Sequence, residues 1–325
     1  VTKTLITGGA GFIGSHLAEA LLAQGQQVVA VDNLSTGRME NIAGLMDRPQ
    51  FQLVCETILN ETVMDRLASE CDVIYHLAAV VGVELIVQDP IHTIETNLHG
   101  TEMMLRLALR YHKKILLASS SEVYGKSDEI PFHEDADRVM GPTTKSRWCY
   151  AESKAMDEFL ALAYHKQFET PIIICRFFNT AGPRQTGMYG MVIPRLVQQA
   201  LAGQPLTVYG DGQQSRCFCN VQDTVRAVLA LASEPRAVGE IFNVGNREEI
   251  TILDLARRVL ARSGSRSEIK LVPYDQAYED GFEDMRRRVP DTQKIKATVG
   301  WQPTISLDET LDQVIAQFRA ARQSV

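Results

Sequence analysis

Tyr150-Ala151-Glu152-Ser153-Lys154 sets a phenol and an ammonium four residues apart. On a helix that spacing puts both on one face, and an ammonium beside a phenol favours the phenolate, a base able to take the proton of an alcohol. A second group of reactive side chains lies upstream. Ala118-Ser119-Ser120-Ser121-Glu122-Val123-Tyr124-Gly125 carries three hydroxyls and a carboxylate. The apolar run Ile115-Leu116-Leu117-Ala118 before it reads as a strand buried on both faces, and ligands of open parallel sheets bind at the carboxyl ends of strands. A Tyr-x-x-x-Lys alone reads more readily as a solvated helix face, so its meaning depends on what else the chain carries.

The elements that would position these groups begin at the N-terminus. Thr4-Leu5-Ile6-Thr7 runs into Gly8-Gly9-Ala10-Gly11-Phe12-Ile13-Gly14, then into a helical pattern from Ser15 to Leu22 with a stop at Gly25. This is strand, glycine turn and helix. Gly8, Gly11 and Gly14, with Phe12 and Ile13 between them, let the backbone approach a pyrophosphate held against the free amides of the helix start. The next strand, Gln27 to Val31, ends in Asp32, where an acid accepts hydrogen bonds from an adenosine ribose and repels a ribose phosphate. The pairing points to NAD rather than NADP, with Asn33, Ser35 and Gly37 near the adenosine. Arg38 is the one residue that argues the other way.

A chain of 325 residues with 45% hydrophobic content can build a large core. The net charge of −7 and the lack of a basic tract beyond Arg286-Arg287-Arg288 speak against nucleic acid as a partner. No apolar run approaches about 18 residues, and the sequence opens on a strand rather than a leader, so a cytoplasmic protein without a membrane anchor is expected. Six cysteines without Cys-x-x-Cys spacing and seven histidines without a His-x-x-x-His pair suggest neither disulfides nor a metal site.

The Gly-x-x-Gly-x-x-Gly turn together with Tyr150-x-x-x-Lys154 resembles the short-chain dehydrogenase/reductase superfamily, in its extended branch that modifies nucleotide sugars. The resemblance spans essentially the whole chain. It implies a Rossmann-type, doubly wound α/β parallel sheet with a smaller C-terminal α/β substrate domain. Residues 1–178 would bind NAD, 217–262 would return to that domain, and 179–325 would mainly hold the sugar nucleotide. It further implies an adenine contact at Thr57-Ile58, although the family's usual Asp is Thr57 here. A small-residue turn, Leu77-Ala78-Ala79, would run under the cofactor, with Asn97 behind the nicotinamide and Ser119, Tyr150 and Lys154 facing it. His76 reads as structural. Val80 to Asp89 would line the sugar cleft, where Glu84 has no assigned role, and Lys126 to Arg147 would form a mobile cover. Arg176-Phe177-Phe178-Asn179-Thr180-Ala181-Gly182-Pro183 looks like the segment leading to the substrate domain. There Asn179 would touch the diphosphate, Val192 would begin a helix, Tyr209 would lie near the base, Arg216 at the sugar, and Arg288 would clamp phosphate. The helix from Ile94 to Tyr111 and the Tyr150 helix form a homodimer face in such proteins.

All enzymes of this branch begin by oxidising a sugar hydroxyl. Their dehydratases resemble one another in Thr-Asp-Glu before Val-Tyr-Gly, and the acid that expels water is replaced here by Ser121. Ser120-Ser121-Glu122, with Gly141-Pro142, Lys145, Arg147-Trp148 and Arg216-Cys217-Phe218, resembles the UDP-glucuronic acid decarboxylases. That implies a catalytic set of Ser120, Ser121, Glu122, Tyr150, Lys154 and Arg216, acting on a UDP-sugar to give UDP-xylose or the 4-keto pentose. Val80-Val81-Gly82-Val83-Glu84 departs from those decarboxylases, where prolines are usual, toward the 4-epimerases, which stand as the alternative. A catalytically silent NAD-binding regulator is the third reading, and it has no need of Ser120, Tyr150 and Lys154 together.

Overall fold

Short Val- and Ile-rich runs separated by amphipathic helical stretches have a single economical arrangement: strands side by side, with helices covering both faces. The computed structural model of the protein describes residues 1–82, 89–187, 190–273 and 285–323. In chain order, β1 (Lys3–Thr7), α1 (Phe12–Ala23), β2 (Gln27–Val31), β3 (Phe51–Val54), α2 (Glu61–Glu70) and β4 (Val73–His76) come first. They are followed by α3 (Pro90–Arg110), β5 (Lys114–Ser120), α4 (Trp148–Phe168) and β6 (Ile172–Phe177). Beyond the crossover lie β7 (Thr180–Ala181), α5 (Val192–Leu201), β8 (Leu206–Tyr209), β9 (Ser215–Cys217), β10 (Cys219–Asn220), α6 (Val221–Ser233) and β11 (Ile241–Val244). The chain closes with β12 (Glu249–Thr251), α7 (Ile252–Ser263), β13 (Ile269–Val272), α8 (Gln293–Val299) and α9 (Leu307–Gln323).

Seven of these strands form one parallel sheet in the order β11-β6-β5-β4-β1-β2-β3. One of its faces is packed by α1, α6 and Ile295 of α8, the other by α2, α3 and α4. The strand order reverses direction beside β1 and β4, which puts a ligand crevice at their carboxyl ends. A second core joins α5, α7 and α9 around β8, and the chain returns from it to the main sheet through α6 and β11. The register across β5 and β6 sets Ser119 opposite Arg176 and Ser120 opposite Phe177.

Two local expectations are corrected. The first helix starts at Phe12, so Gly14 lies inside its first turn. The second correction concerns residues 126–147, which are a docked strap rather than a mobile cover. Phe132 is fully buried, stacks on Tyr124 with ring centroids 4.7 Å apart, and pairs with Pro290 through an isolated bridge. Glu134 reaches under the strap to accept Asn243 N at 2.8 Å, and Val139 pairs with Gly125.

Phe132→Ala should therefore cost about 3–5 kcal/mol, the range for emptying a large aromatic site in a core. Denaturant unfolding would read it, together with faster proteolysis within residues 126–147 than in the unsubstituted protein.

Candidate active site

The Tyr150 helix is entered tightly. Gly141 lies against Trp148, where an added Cβ would stand 2.0 Å from indole Nε1, so a glycine is needed for the strap to pass. Trp148, Tyr150 and Lys154 are all buried at the start of α4. Burial pushes the Tyr150 phenol well above the usual range, and the nearby Glu122 carboxylate adds to this. A hydrogen bond with Ser120 pulls the other way, as does the Arg288 charge. The expected service of Lys154 to the phenol is not what the protein by itself displays. The ammonium donates to Asp157 Oδ2 at 2.9 Å.

Opposite Tyr150, the end of β5 tightens into a single 3-10 turn, Ser121–Tyr124, with Ser120 Oγ accepting Glu122 N at 3.2 Å. Glu122 is gripped by two arginines from distant segments. Arg288 Nη1 lies 2.5 Å from Oε1, and Arg147 Nη2 lies 3.3 Å from Oε2. Burial opposes ionisation of Glu122, but the charges of Arg288, Arg147 and Arg216 outweigh it and hold the carboxyl below its ordinary range. Arg288 also reaches Ser121 Oγ at 3.4 Å. This residue, expected as a phosphate clamp, thus sits on Glu122. The charge run it belongs to is divided, since Arg287 makes a two-pronged pair with Glu249. Arg216 is buried, donating to Ser215 O at 2.7 Å. Ser119 is turned inward, its hydroxyl 2.5 Å from Glu158 Oε1.

A cleft of about 500 Å³ runs from these groups to the glycine turn. Gly8, Gly11, Phe12, Ile13 and Gly14 line it, as do Asp32, Asn33, Ser35, Thr57, Ile58, Leu77, Ala78 and Ala79. Gly8 has φ +72°, and a Cβ there would meet Ala78 N at 2.9 Å. A Cβ on Gly14 would strike Gly8 O at 2.1 Å. Asp32 accepts Leu34 N at 2.8 Å and Ala10 N at 3.0 Å. Burial raises its pKa, and those amides work against the rise. Gly37 is outside the cleft wall, pressed against the Asp32 carboxylate, and Asn97 is buried behind it. Asn97 accepts Val80 N at 2.9 Å and donates to Ser153 Oγ, which ties the turn after β4 to α4. Arg38 leans on Thr186 across the opening. A bare glycine turn beside a fixed acid suits a dinucleotide whose ribose has a free 2′-hydroxyl.

His76 is closed off beneath this floor. Thr7 Oγ1 accepts Ala78 N, which leaves its proton for His76 Nδ1 at 2.8 Å, while Nε2 meets Thr101. Burial, helped by the Lys154 charge, lowers its pKa to about 3, so it is a neutral structural residue. On the far side, the cleft is lined by Asn179, Val192, Tyr209 and Arg216. Asn179 is fixed by donating to Cys217 O at 3.1 Å. The guanidinium of Arg195, a residue not singled out in the sequence, lies 4.2 Å from the Tyr209 ring centre. Val80, Val81 and Gly82 are at the rim, whereas Glu84 and Tyr278–Asp284 fall outside the described residues. Asp157 also went unnoticed, although its place seven residues after Tyr150 sets it on the same helix face. Among the described residues no group of His, Cys, Asp and Glu could hold a metal, all six cysteines are free, and no helix is long and apolar enough to cross a membrane.

Known proteins resemble this chain in sequence and fold. The sequence profile of the family described as GDP-mannose 4,6 dehydratase matches residues 5–314. The chain is 42% identical over 321 residues to a UDP-N-acetyl-alpha-D-glucosaminuronate decarboxylase of Bacillus cytotoxicus, covering 98% of each. It is 39% identical over 316 residues to UDP-glucuronic acid decarboxylase 1 of Danio rerio, covering 97% of this chain and 72% of that one. It superposes with a TM-score of 0.89 on a UDP-glucuronic acid 4-epimerase of Bacillus cereus solved with UDP-glucuronic acid and NAD, at 31% identity over 98% of this chain and 100% of that one.

Asp32→Ala should weaken NAD binding about 10- to 100-fold, the worth of charged hydrogen bonds of roughly 1.5–3 kcal/mol. Calorimetric titration with NAD and NADP side by side would also find the preference for NAD narrowed.

Proposed function

The chain belongs to the GDP-mannose 4,6-dehydratase family of extended short-chain dehydrogenase/reductases, and from that membership we propose that it is an NAD-dependent decarboxylase of UDP-glucuronic acid. The observation that carries the reading is Glu122, a half-buried carboxylate held by Arg288 and Arg147 across from Tyr150. A simple epimerase needs only to turn its keto intermediate over, and a dehydratase needs an acid where this chain has Ser121.

NAD would be held by the glycine turn of Gly8, Gly11 and Gly14 and by Asp32, and it would supply the redox chemistry, a reversible hydride exchange at sugar carbon 4. Tyr150 takes the proton of the hydroxyl on that carbon, and Ser120 donates a hydrogen bond to the oxygen as it becomes a carbonyl. The sugar is then a β-keto acid, and carbon dioxide leaves as its bonding electrons move into the polarised carbonyl. Glu122, fixed by its two arginines, orients the carboxylate or a water, and Arg216 binds the carboxylate or carries a proton to carbon 5. Asn179, Val192 and Tyr209 hold the sugar nucleotide, with residues 1–178 and the returning segment serving the cofactor. The product is UDP-xylose, or the 4-keto pentose if hydride stays behind.

A second substrate has a specific observation in its favour. The relative at 42% identity is named for the 2-acetamido uronate. Both substrates are decarboxylated by the same chemistry, because the substituent on carbon 2 takes no part in it. The working form is a cytoplasmic homodimer: α3 and α4 expose Ile91, Ile94, Met156, Phe159 and Phe168, an apolar surface suited to a second copy.

Incubation with NAD and either UDP-glucuronic acid or its 2-acetamido counterpart should release carbon dioxide and a UDP-pentose. Faster turnover of one identifies the substrate. Formation of UDP-galacturonic acid without carbon dioxide would make the protein a 4-epimerase, and no turnover of any UDP-sugar would leave a cofactor-binding regulator. Glu122→Gln should lower carbon dioxide release by about 100-fold or more while early NADH absorbance persists; an unchanged product rate would remove Glu122 from the chemistry.

A further inference from the structure

Tyr150, Lys154 and Asp157 follow one another along a single face of α4. The Lys154 ammonium donates to Asp157 Oδ2 at 2.9 Å, and the two side chains are 3% and 1% exposed. From that geometry we infer that Asp157 is a positioning residue, competing with Tyr150 for the Lys154 charge and so setting the pH at which Tyr150 works as a base. The inference rests on the reading of Tyr150 as the proton acceptor.

An ion pair removed from water is directional, and an ammonium committed to a carboxylate gives less of its field to a phenol. Asp157 acts in a second way with the same sign, because its own negative charge opposes a phenolate on Tyr150. Burial raises the pKa of Asp157 itself, with Lys154 and the Thr101 hydroxyl opposing the rise. The other charged groups around Tyr150 are already engaged. Glu122 faces it from the end of β5, gripped by Arg288 and Arg147, with Arg216 beside them. His76 on β4 is neutral, and Glu158, one residue beyond Asp157, is bound to Arg176. A lysine beside the tyrosine does not by itself call for an acid behind it, so the buried Lys154–Asp157 pair needs an account of its own.

The test is the pH profile of carbon dioxide release, compared between the unsubstituted enzyme and Asp157→Asn, which keeps the side-chain shape and removes the charge. Activity rises as Tyr150 loses its proton, so the rising limb should move to lower pH by about 1 unit, or about tenfold in rate at a pH on that limb. Tyr150→Phe should abolish turnover. Where Asp157→Asn does not fold, Asp157→Ser, which is smaller and keeps a hydroxyl to accept from Lys154, carries the same expectation. An unmoved limb, or a loss equal at every pH as a packing role would give, overturns the inference alone. Failure of the unsubstituted enzyme to turn over any UDP-uronate overturns the decarboxylase reading and this inference with it.

Discussion

Arg176 and Glu158 form the interaction on which the site depends. Both are buried, Nε and Nη2 donate to the two carboxylate oxygens at 2.9 and 2.6 Å, and Nη1 donates to Tyr124 Oη and to Glu134 O. Burial opposes the arginine's charge, yet Glu158 and Tyr124 hold its pKa above the ordinary value. Breaking such a pair from one side strands a charge in the core, which costs about 3–5 kcal/mol. Through Ser119 it reaches the end of β5, through Glu134 the strap, and through Tyr124 and Asn243 the edge strand β11. One ion pair thus sets the distance between the helix that carries Tyr150 and the strand that carries Ser120.

Above this anchor the cleft is organised by charge. Three guanidinium charges act on Glu122 and hold its carboxyl below the ordinary range although burial pushes it up. The phenol opposite is driven the other way, kept protonated by burial and by that same carboxylate. Two acidic groups that face each other are therefore pushed apart in pKa. The remaining polar floor is silent, since His76 is neutral and spent on two threonine hydroxyls.

Much of this was legible in the sequence, for reasons that differ by element. β1, the glycine turn and Asp32 were readable because local backbone constraints and one acid at a fixed interval identify them without tertiary knowledge. Tyr150 and Lys154 were readable from helical spacing. Less legible was what depends on partners far along the chain. Nothing near Glu122 in sequence reveals Arg288, 166 residues away, and a triple arginine looks like a solvated run until the fold splits it between Glu122 and Glu249. The strap misled because Asp, Glu, Pro and Gly are loop residues by composition, while the docking of Phe132 and Glu134 is a tertiary fact. Asp157 was hidden by its neighbour Glu158, two acids in one turn reading as surface when both point inward.

The bridge between Phe132 and Pro290 makes two remote segments one structural unit. The strap ends in Arg147, and the segment after residue 284 carries Arg288, so both arms that hold Glu122 are delivered by a single docked pair of loops. The segments cannot then diverge independently. A change in strap length or anchor would displace Arg288 as well as Arg147, and a loop borrowed from a relative would have to bring its C-terminal partner with it. For an engineer, residues 126–147 and 285–291 are a single cassette, to be exchanged together.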